Sequence, residues 1–181
     1  MNVPVLETER LILRPLTVAD AQAEFEWLSD PRVTKFMPYN TYTCVEDVEN
    51  WLKSVEAEEE EYHFGFVRKS DSKLIGAGSI GPNDGGIMWE FGYNIRYDCW
   101  NQGYATEATR AMIAFARDQK CVTLFGANHA VDNPASGKVM QKCGLHFERD
   151  DEYSSFDGLR TYAAKRYAGT AEDTRNAEKT V

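Results

Sequence analysis

The stretch Ile87-Met-Trp-Glu-Phe-Gly-Tyr-Asn-Ile95, followed after Arg96-Tyr-Asp-Cys99 by Trp100-Asn-Gln-Gly-Tyr-Ala-Thr106, decides how this chain is read. The first part alternates with the period of a strand. Ile87, Trp89, Phe91, Tyr93 and Ile95 make one apolar face, and Met88, Glu90, Gly92 and Asn94 make the other. From Tyr104 to about Gln119 the period becomes helical. Ala105, Ala108, Met112 and Phe115 share a face, with Glu107, Arg110, Arg117 and Asp118 away from it. A strand, a glycine-bearing loop and a helix start together make a site for an anion. The first amides of a helix lack internal acceptors and carry partial positive charge. Gly103 lets the main chain approach a phosphate, Ala105 is small, and Asn101 and Thr106 offer side-chain hydrogen bonds. The same signature also fits a plain turn. No GxxxxGK[ST] or GxGxxG pattern occurs, which argues against ATP, GTP and NAD.

Upstream, Arg10 to Leu16 reads as a strand, and Thr17 caps a helix from Val18 to about Leu28 with Ala21, Phe25 and Leu28 on one face. Ser29-Asp30-Pro31 breaks that helix. Val45, Val48, Trp51, Leu52 and Val55 mark a second helix ending near Glu56, and Glu56 to Glu61 reads as a solvated end. His63–Arg68 and Lys73–Ile80 flank Ser70-Asp71-Ser72 as a hairpin, and Pro82-Asn-Asp-Gly-Gly86 is a further turn. Downstream, Thr123–Val131 reads as a strand. Asn133-Pro134 opens a helix that Gly144 closes. Leu145–Tyr153 and Leu159–Tyr167 pair across Asp157-Gly158. The result is one α/β domain over residues 1–169 with a mixed sheet and about four flanking helices, then a polar, frayed tail over 170–181.

Composition narrows the function classes. The chain has 181 residues, 43% hydrophobic and 27% charged, as a folded domain requires. A net charge of −9 disfavours nucleic acid as a partner. No stretch reads as a membrane span. Cys44, Cys99, Cys121 and Cys143 lack metal-type spacing and fit a reducing compartment, so the expected location is cytoplasmic. His63, His129 and His146 also lack metal spacing, and no metal site is expected.

Five segments in order resemble the GNAT superfamily of N-acetyltransferases, especially the branch similar to ribosomal-protein N-terminal acetyltransferases. They are Leu6-Glu-Thr-Glu-Arg-Leu-Ile-Leu-Arg-Pro15, Trp27-Leu-Ser-Asp-Pro-Arg-Val33, Glu90-Phe-Gly-Tyr93, Trp100-Asn-Gln-Gly-Tyr-Ala-Thr-Glu-Ala108, and Asn133-Pro-Ala-Ser136 leading to Lys142-Cys-Gly144. Gly103 and Ala105 fill the last fixed positions of the superfamily's Q/R-x-x-G-x-G/A motif, whereas Trp100 stands where Gln or Arg is usual. The resemblance implies a GNAT-like fold with a mostly antiparallel sheet. It implies acetyl-CoA as co-substrate, its diphosphate on Asn101, Gln102, Gly103, Tyr104, Ala105 and Thr106. Pantetheine would lie beside Ile95, where the strand splays from Thr123–Val131, with Asn133 and Lys138 as further contacts. The acceptor it implies is a small amine or a peptide N-terminus, and the family-level assembly is a homodimer.

Direct attack of an amine on a bound thioester needs no protein nucleophile, so Cys99 and Cys143 read as non-catalytic. Glu90 is the one acid mid-strand. It reads either as a desolvated base for the ammonium or as a carboxylate facing solvent or a cation, and the resemblance favours the base. Similar enzymes protonate the thiolate with a Tyr where this chain has Met140. Ser136 is the expected substitute, with capping of first-turn amides as its other reading. Asn133 reads as helix cap and cofactor contact together. Glu56–Glu61 and Asp150-Asp-Glu152 are candidates for an acidic mouth. Two rival readings stay open: a non-catalytic acyl-CoA-binding regulatory module on the same fold, and an unrelated α/β protein with a chance anion loop.

Overall fold

The computed structural model describes residues 2–83 and 85–179. Asp84, inside one expected turn, and the last two residues of the expected tail lie outside the described residues. Eight strands form one sheet: β1 (Leu6–Glu7), β2 (Leu11–Pro15), β3 (Tyr62–Arg68), β4 (Lys73–Pro82), β5 (Trp89–Ile95), β6 (Leu124–Ala130), β7 (His146–Ser154) and β8 (Thr161–Thr170). Their spatial order is β1-β2-β3-β4-β5-β6-β8-β7. Every neighbouring pair is antiparallel except β5 and β6. A parallel pair needs a crossover, here α4 (Tyr104–Gln119). The other helices are α1 (Ala21–Leu28), α2 (Pro31–Thr34), α3 (Val45–Ala57), α5 (Pro134–Lys142) and α6 (Ala171–Glu178).

Alternation along the central strands produces two cores. Phe64 and Phe66 of β3 point to the α4 side and pack with Ala108, Met112 and Phe115. The opposite face packs against α1 and α3 through Leu16, Trp27, Leu28, Val48 and Leu52. The apolar periodicity of α4 therefore decided its burial: Ala108 and Met112 are fully buried. The expected helix from Val18 begins as a 3₁₀ turn over Val18–Asp20 and continues as α1.

Two expectations are corrected. The segment after Gly169 is not frayed: Thr170 and Asp173 form a reciprocal capping box that starts α6. Its Thr174 is buried, and Glu178 pairs with Arg117 at 2.8 Å. Gly144, at φ +90°, has α6 backbone directly against it, where any side chain would meet the Asp173 carbonyl. Arg117, expected away from the core, is consequently 7% exposed and held by Asp118, Thr174 and Glu178. The expected break at Ser29-Asp30-Pro31 does end α1 at Leu28, and a short helix not foreseen from the sequence, α2, follows it. Asp30 accepts a hydrogen bond from the Arg32 amide, and Pro31 opens the short helix.

The feature that positions the site is a parting of strands. β5 and β6 pair only at Trp89–Phe125 and Glu90–Gly126. Beyond those pairs the two strands diverge, and a cleft of about 900 Å³ opens between them.

Candidate active site

One end of the cleft is the start of α4. Asn101 (φ +59°) and Gly103 (φ +84°) are both left-handed, and this pair of bends delivers the chain into the helix with its first amides uncovered. No side chain caps them, and the Glu107 amide donates to the Gly103 carbonyl at 3.0 Å. The amides of Tyr104, Ala105 and Thr106 thus face the cleft without helical acceptors. Asn101, Gly103, Tyr104, Ala105 and Thr106 all line it. Gln102 does not: its side chain donates to the Asp98 carbonyl at 2.9 Å, and its own carbonyl faces Arg10. Its side chain and carbonyl thus close the loop, on Asp98 and Arg10 respectively.

The first strand explains why the loop holds its shape. Arg10 donates from Nη1 to the Gln102 carbonyl (2.9 Å), from Nε to Glu107 Oε2 (2.7 Å) and from its amide to Glu107 Oε1 (2.7 Å). Its guanidinium lies 4.5 Å from the Tyr104 ring centroid. Thr8 Oγ1 adds a bond to Glu107 at 2.6 Å. Burial alone would raise the Glu107 carboxyl, but the bonds from Thr8 and Arg10 outweigh it and hold it below the usual carboxylate value. This brace was not foreseen from sequence. Its signal was Thr8 and Arg10, two residues apart in the opening segment.

Trp100, where the superfamily motif has a polar residue, donates from its indole to the Ile95 carbonyl at 2.7 Å. It thereby caps the free end of β5, and Ile95 lines the cleft. On the other wall, Asn133 lines the cleft but makes no cap hydrogen bond, which corrects its expected double role. Cys143 Sγ lies 4.0 Å from the Thr106 carbonyl, so the far end of α5 meets the start of α4. Lys138 and Lys142 line the cleft along that wall.

In the middle, Ser136 does not cap amides. Its Oγ lies 3.0 Å from the Tyr93 hydroxyl, and both residues line the cleft. Burial pushes the Tyr93 hydroxyl up to about 12 despite the Ser136 bond. Alternation places Tyr93 on the apolar face of its strand, and periodicity carries no information about where a phenol's oxygen ends. The thiols are inert: burial pushes Cys143 up to about 12 and also raises Cys99.

Glu90 is elsewhere. It does not line the cleft, and Arg166 Nη2 sits 2.6 Å from its Oε1. Arg166 is itself buried and also donates to Asn128 Oδ1 at 3.0 Å. Of the two readings of Glu90, this placement has the carboxylate facing a cation. Its ion pair lies at Glu90–Gly126, where the two strands part. The acidic runs are not at the mouth either. Glu56, Glu58 and Glu61 border a separate hollow of about 210 Å³ with His63. Asp150 pairs with Lys165, and Asp151 accepts from Asn128.

The far end of the cleft is walled by α2 with the loop after it and by the β7–β8 hairpin. Tyr153 Oη donates to the Phe36 carbonyl (2.6 Å), the Phe156 amide to the Pro38 carbonyl (2.7 Å), and Arg160 Nη2 to the Tyr39 carbonyl (3.1 Å). Asn94, on the floor, accepts from the Trp27 indole (2.7 Å) and donates to the Tyr39 hydroxyl (3.1 Å).

A cleft between parted parallel strands, an uncapped helix start at one end and a hydroxyl pair in the middle define an acyl-transfer fold. The acetyltransferase (GNAT) domain model matches residues 10–146, and the chain belongs to that family. Among curated proteins it is similar to the uncharacterised N-acetyltransferase YoaA of Bacillus subtilis, 29% identical over 149 residues (80% of this chain, 84% of that protein). The solved GNAT-family acetyltransferase of Bacillus anthracis is similar in fold, with a TM-score of 0.82 at 23% identity over 93% of this chain and 99% of the other. So is the spermidine N-acetyltransferase of Vibrio cholerae in complex with CoA and spermine, with a TM-score of 0.79 at 18% identity over 93% and 100%. The chain is therefore an N-acetyltransferase of the GNAT family. No helix among the described residues is long and apolar enough to cross a membrane.

Proposed function

We propose that this enzyme moves an acetyl group from acetyl-CoA to a primary amine by direct attack, with both substrates bound together. The acceptor is a small-molecule amine or a peptide N-terminus, and the compartment is the cytoplasm, in keeping with four free cysteines. The observation that carries this reading is the bare start of α4 facing the cleft where β5 and β6 part.

The amides of Tyr104, Ala105 and Thr106 hold the diphosphate, with Asn101 beside them and Lys138 supplying positive charge. Pantetheine lies in the gap that opens after Glu90–Gly126, along Ile95 and Asn133. Acetyl-CoA supplies an activated acyl group on a thiol. Ser136, held by the neutral Tyr93 hydroxyl, donates a proton toward that sulfur. Tyr93 fixes the Ser136 rotamer and passes its own proton to Ser136. As the amine N–C bond forms and the thioester C–S bond breaks, CoA leaves as the thiol, and the proton released by the ammonium returns to Tyr93 through cleft water. Arg166 occupies Glu90, so the acceptor's proton leaves through water in the open cleft.

Calorimetry with acetyl-CoA tests binding, and thiol release with an amine tests turnover. Ser136→Ala is expected to lower kcat about tenfold with acetyl-CoA affinity unchanged. No heat with CoA or acetyl-CoA overturns the assignment. Heat without turnover of any amine leaves only an acyl-CoA-binding module, and an unchanged kcat in Ser136→Ala removes the serine from the reaction.

A further inference from the structure

The cleft has two ends of different chemistry. The end at α4 presents main-chain donors and lysines. The other end is built from Phe36, Met37, Pro38, Tyr153 and Phe156. Its polar groups are already occupied. The Tyr153 hydroxyl is spent on the Phe36 carbonyl, and burial keeps it neutral by pushing it up to about 12. The Asn94 amide is taken by Trp27 and Tyr39, and the Asn128 amide by Arg166 and Asp151.

Charge is equally telling. Among the described residues that line the cleft, Asp132 is the one acid, and no ion pair engages it. Arg32, which also lines the cleft, is already neutralised by both carboxylate oxygens of Asp30, so it offers the acceptor no free charge. Phe156 is 81% exposed although it lines the cleft, because its amide pins the hairpin tip to Pro38 and leaves the ring on the rim. An aromatic ring left in water at the lip of an apolar hollow gains from a partner that covers it.

From this we infer the acceptor class, resting on the transferase reading above: a monoamine on an uncharged, apolar body of aromatic size. A polyamine would bring several charges to a cleft whose described lining offers a single carboxylate, Asp132. A peptide N-terminus would bring amide groups that the occupied Asn94 and Asn128 side chains are not free to bind.

The test is thiol release at saturating acetyl-CoA with an arylalkylamine, a straight alkylamine, spermidine and a short peptide with a free N-terminus. The arylalkylamine is expected to have kcat/KM at least about tenfold above spermidine and the peptide. Phe156→Ala is expected to raise the arylalkylamine KM about tenfold and leave the acetyl-CoA KM and the unfolding midpoint unchanged, because the ring it removes is exposed. A preference for spermidine or the peptide overturns the inference. So does acetyl-CoA binding without turnover of the apolar amines, or a Phe156→Ala loss equal for every amine. Calorimetry on the same preparation separates the two levels. Acetyl-CoA heat with the wrong amine preference sinks this inference alone, whereas no acetyl-CoA heat sinks the transferase reading with it.

Discussion

Glu24 and Glu107 are both glutamates in helices that pack on the sheet, yet they do opposite things. Glu107, on α4, accepts bonds from Thr8 and from the amide and guanidinium of Arg10. Glu24, on α1, is 0% exposed, and neither carboxylate oxygen has a partner. The cation that acts on it, Arg14, is already committed to Asp20 in a two-pronged pair at 2.7 and 2.8 Å. Two acids compete for one guanidinium, and the one that also accepts from the Thr17 amide keeps it. Burial, with Asp20 adding to it and Arg14 opposing it, pushes the Glu24 carboxyl up to about 8. The difference teaches that a buried carboxylate braces the fold when donors converge on it. Without them it is tolerated only by holding its proton.

The largest expected effect breaks the comparison at Glu24. Between the usual carboxylate value and about 8, the folded chain keeps a proton that the unfolded chain has lost. Stability therefore falls as pH rises through that window, by about 1.4 kcal/mol per pH unit. Glu24→Gln should match the parent near pH 5 and exceed it by a few kcal/mol near pH 8 in urea unfolding. An equal gap at both pH values would show that Glu24 is not protonated in the folded state.

Glu107 runs the other way. Its lowered carboxyl stabilises the fold above the usual carboxylate value and loses that contribution as pH falls through its folded value. Glu107→Gln should cost about 2 kcal/mol at neutral pH, a figure moderated by the half-exposed Arg10, and the deficit should shrink below about pH 4. Because Arg10 also holds the Gln102 carbonyl, the acetyl-CoA KM should rise about tenfold, measured by initial rates. A KM unchanged in the folded variant would separate the brace from the loop. The smallest effect sharpens the contrast. Thr8→Val removes one bond to Glu107 and should cost about 1 kcal/mol with about a twofold rise in acetyl-CoA KM, readable by thermal unfolding and the same rate assay.

Much of this architecture was legible in the residues, and the reasons are local. The α4 bounds follow from Ala105, Ala108, Met112 and Phe115 at helical spacing, and the anion loop from Gly103 before them. Apart from the two-residue β1, which was not foreseen, the strands fell where alternation placed them, within three residues. What was not legible depends on partners far along the chain. The cation that takes Glu90 is 76 residues away, and the phenol that holds Ser136 is 43 residues away. Glu24 lies on the same helical face as Ala21 and Leu28, but a charged residue in a periodic pattern is naturally assigned to water. α6 announced itself only by Thr170 and Asp173, three residues apart, in a segment too polar to show an apolar stripe.

The hydrogen bonds between the β7–β8 hairpin and the loop after α2 join residues 117 to 127 positions apart. During synthesis the loop before α4, its Arg10 brace and the two parted strands all emerge before that hairpin does. A ribosome-bound chain halted after α5 would have made every element to which the proposed function gives the coenzyme, and only one of the two walls that close the far end of the cleft. Chain order thus sets an order of competence, with the donor half of the site assembled first and acceptor discrimination arriving with the last strands to be translated.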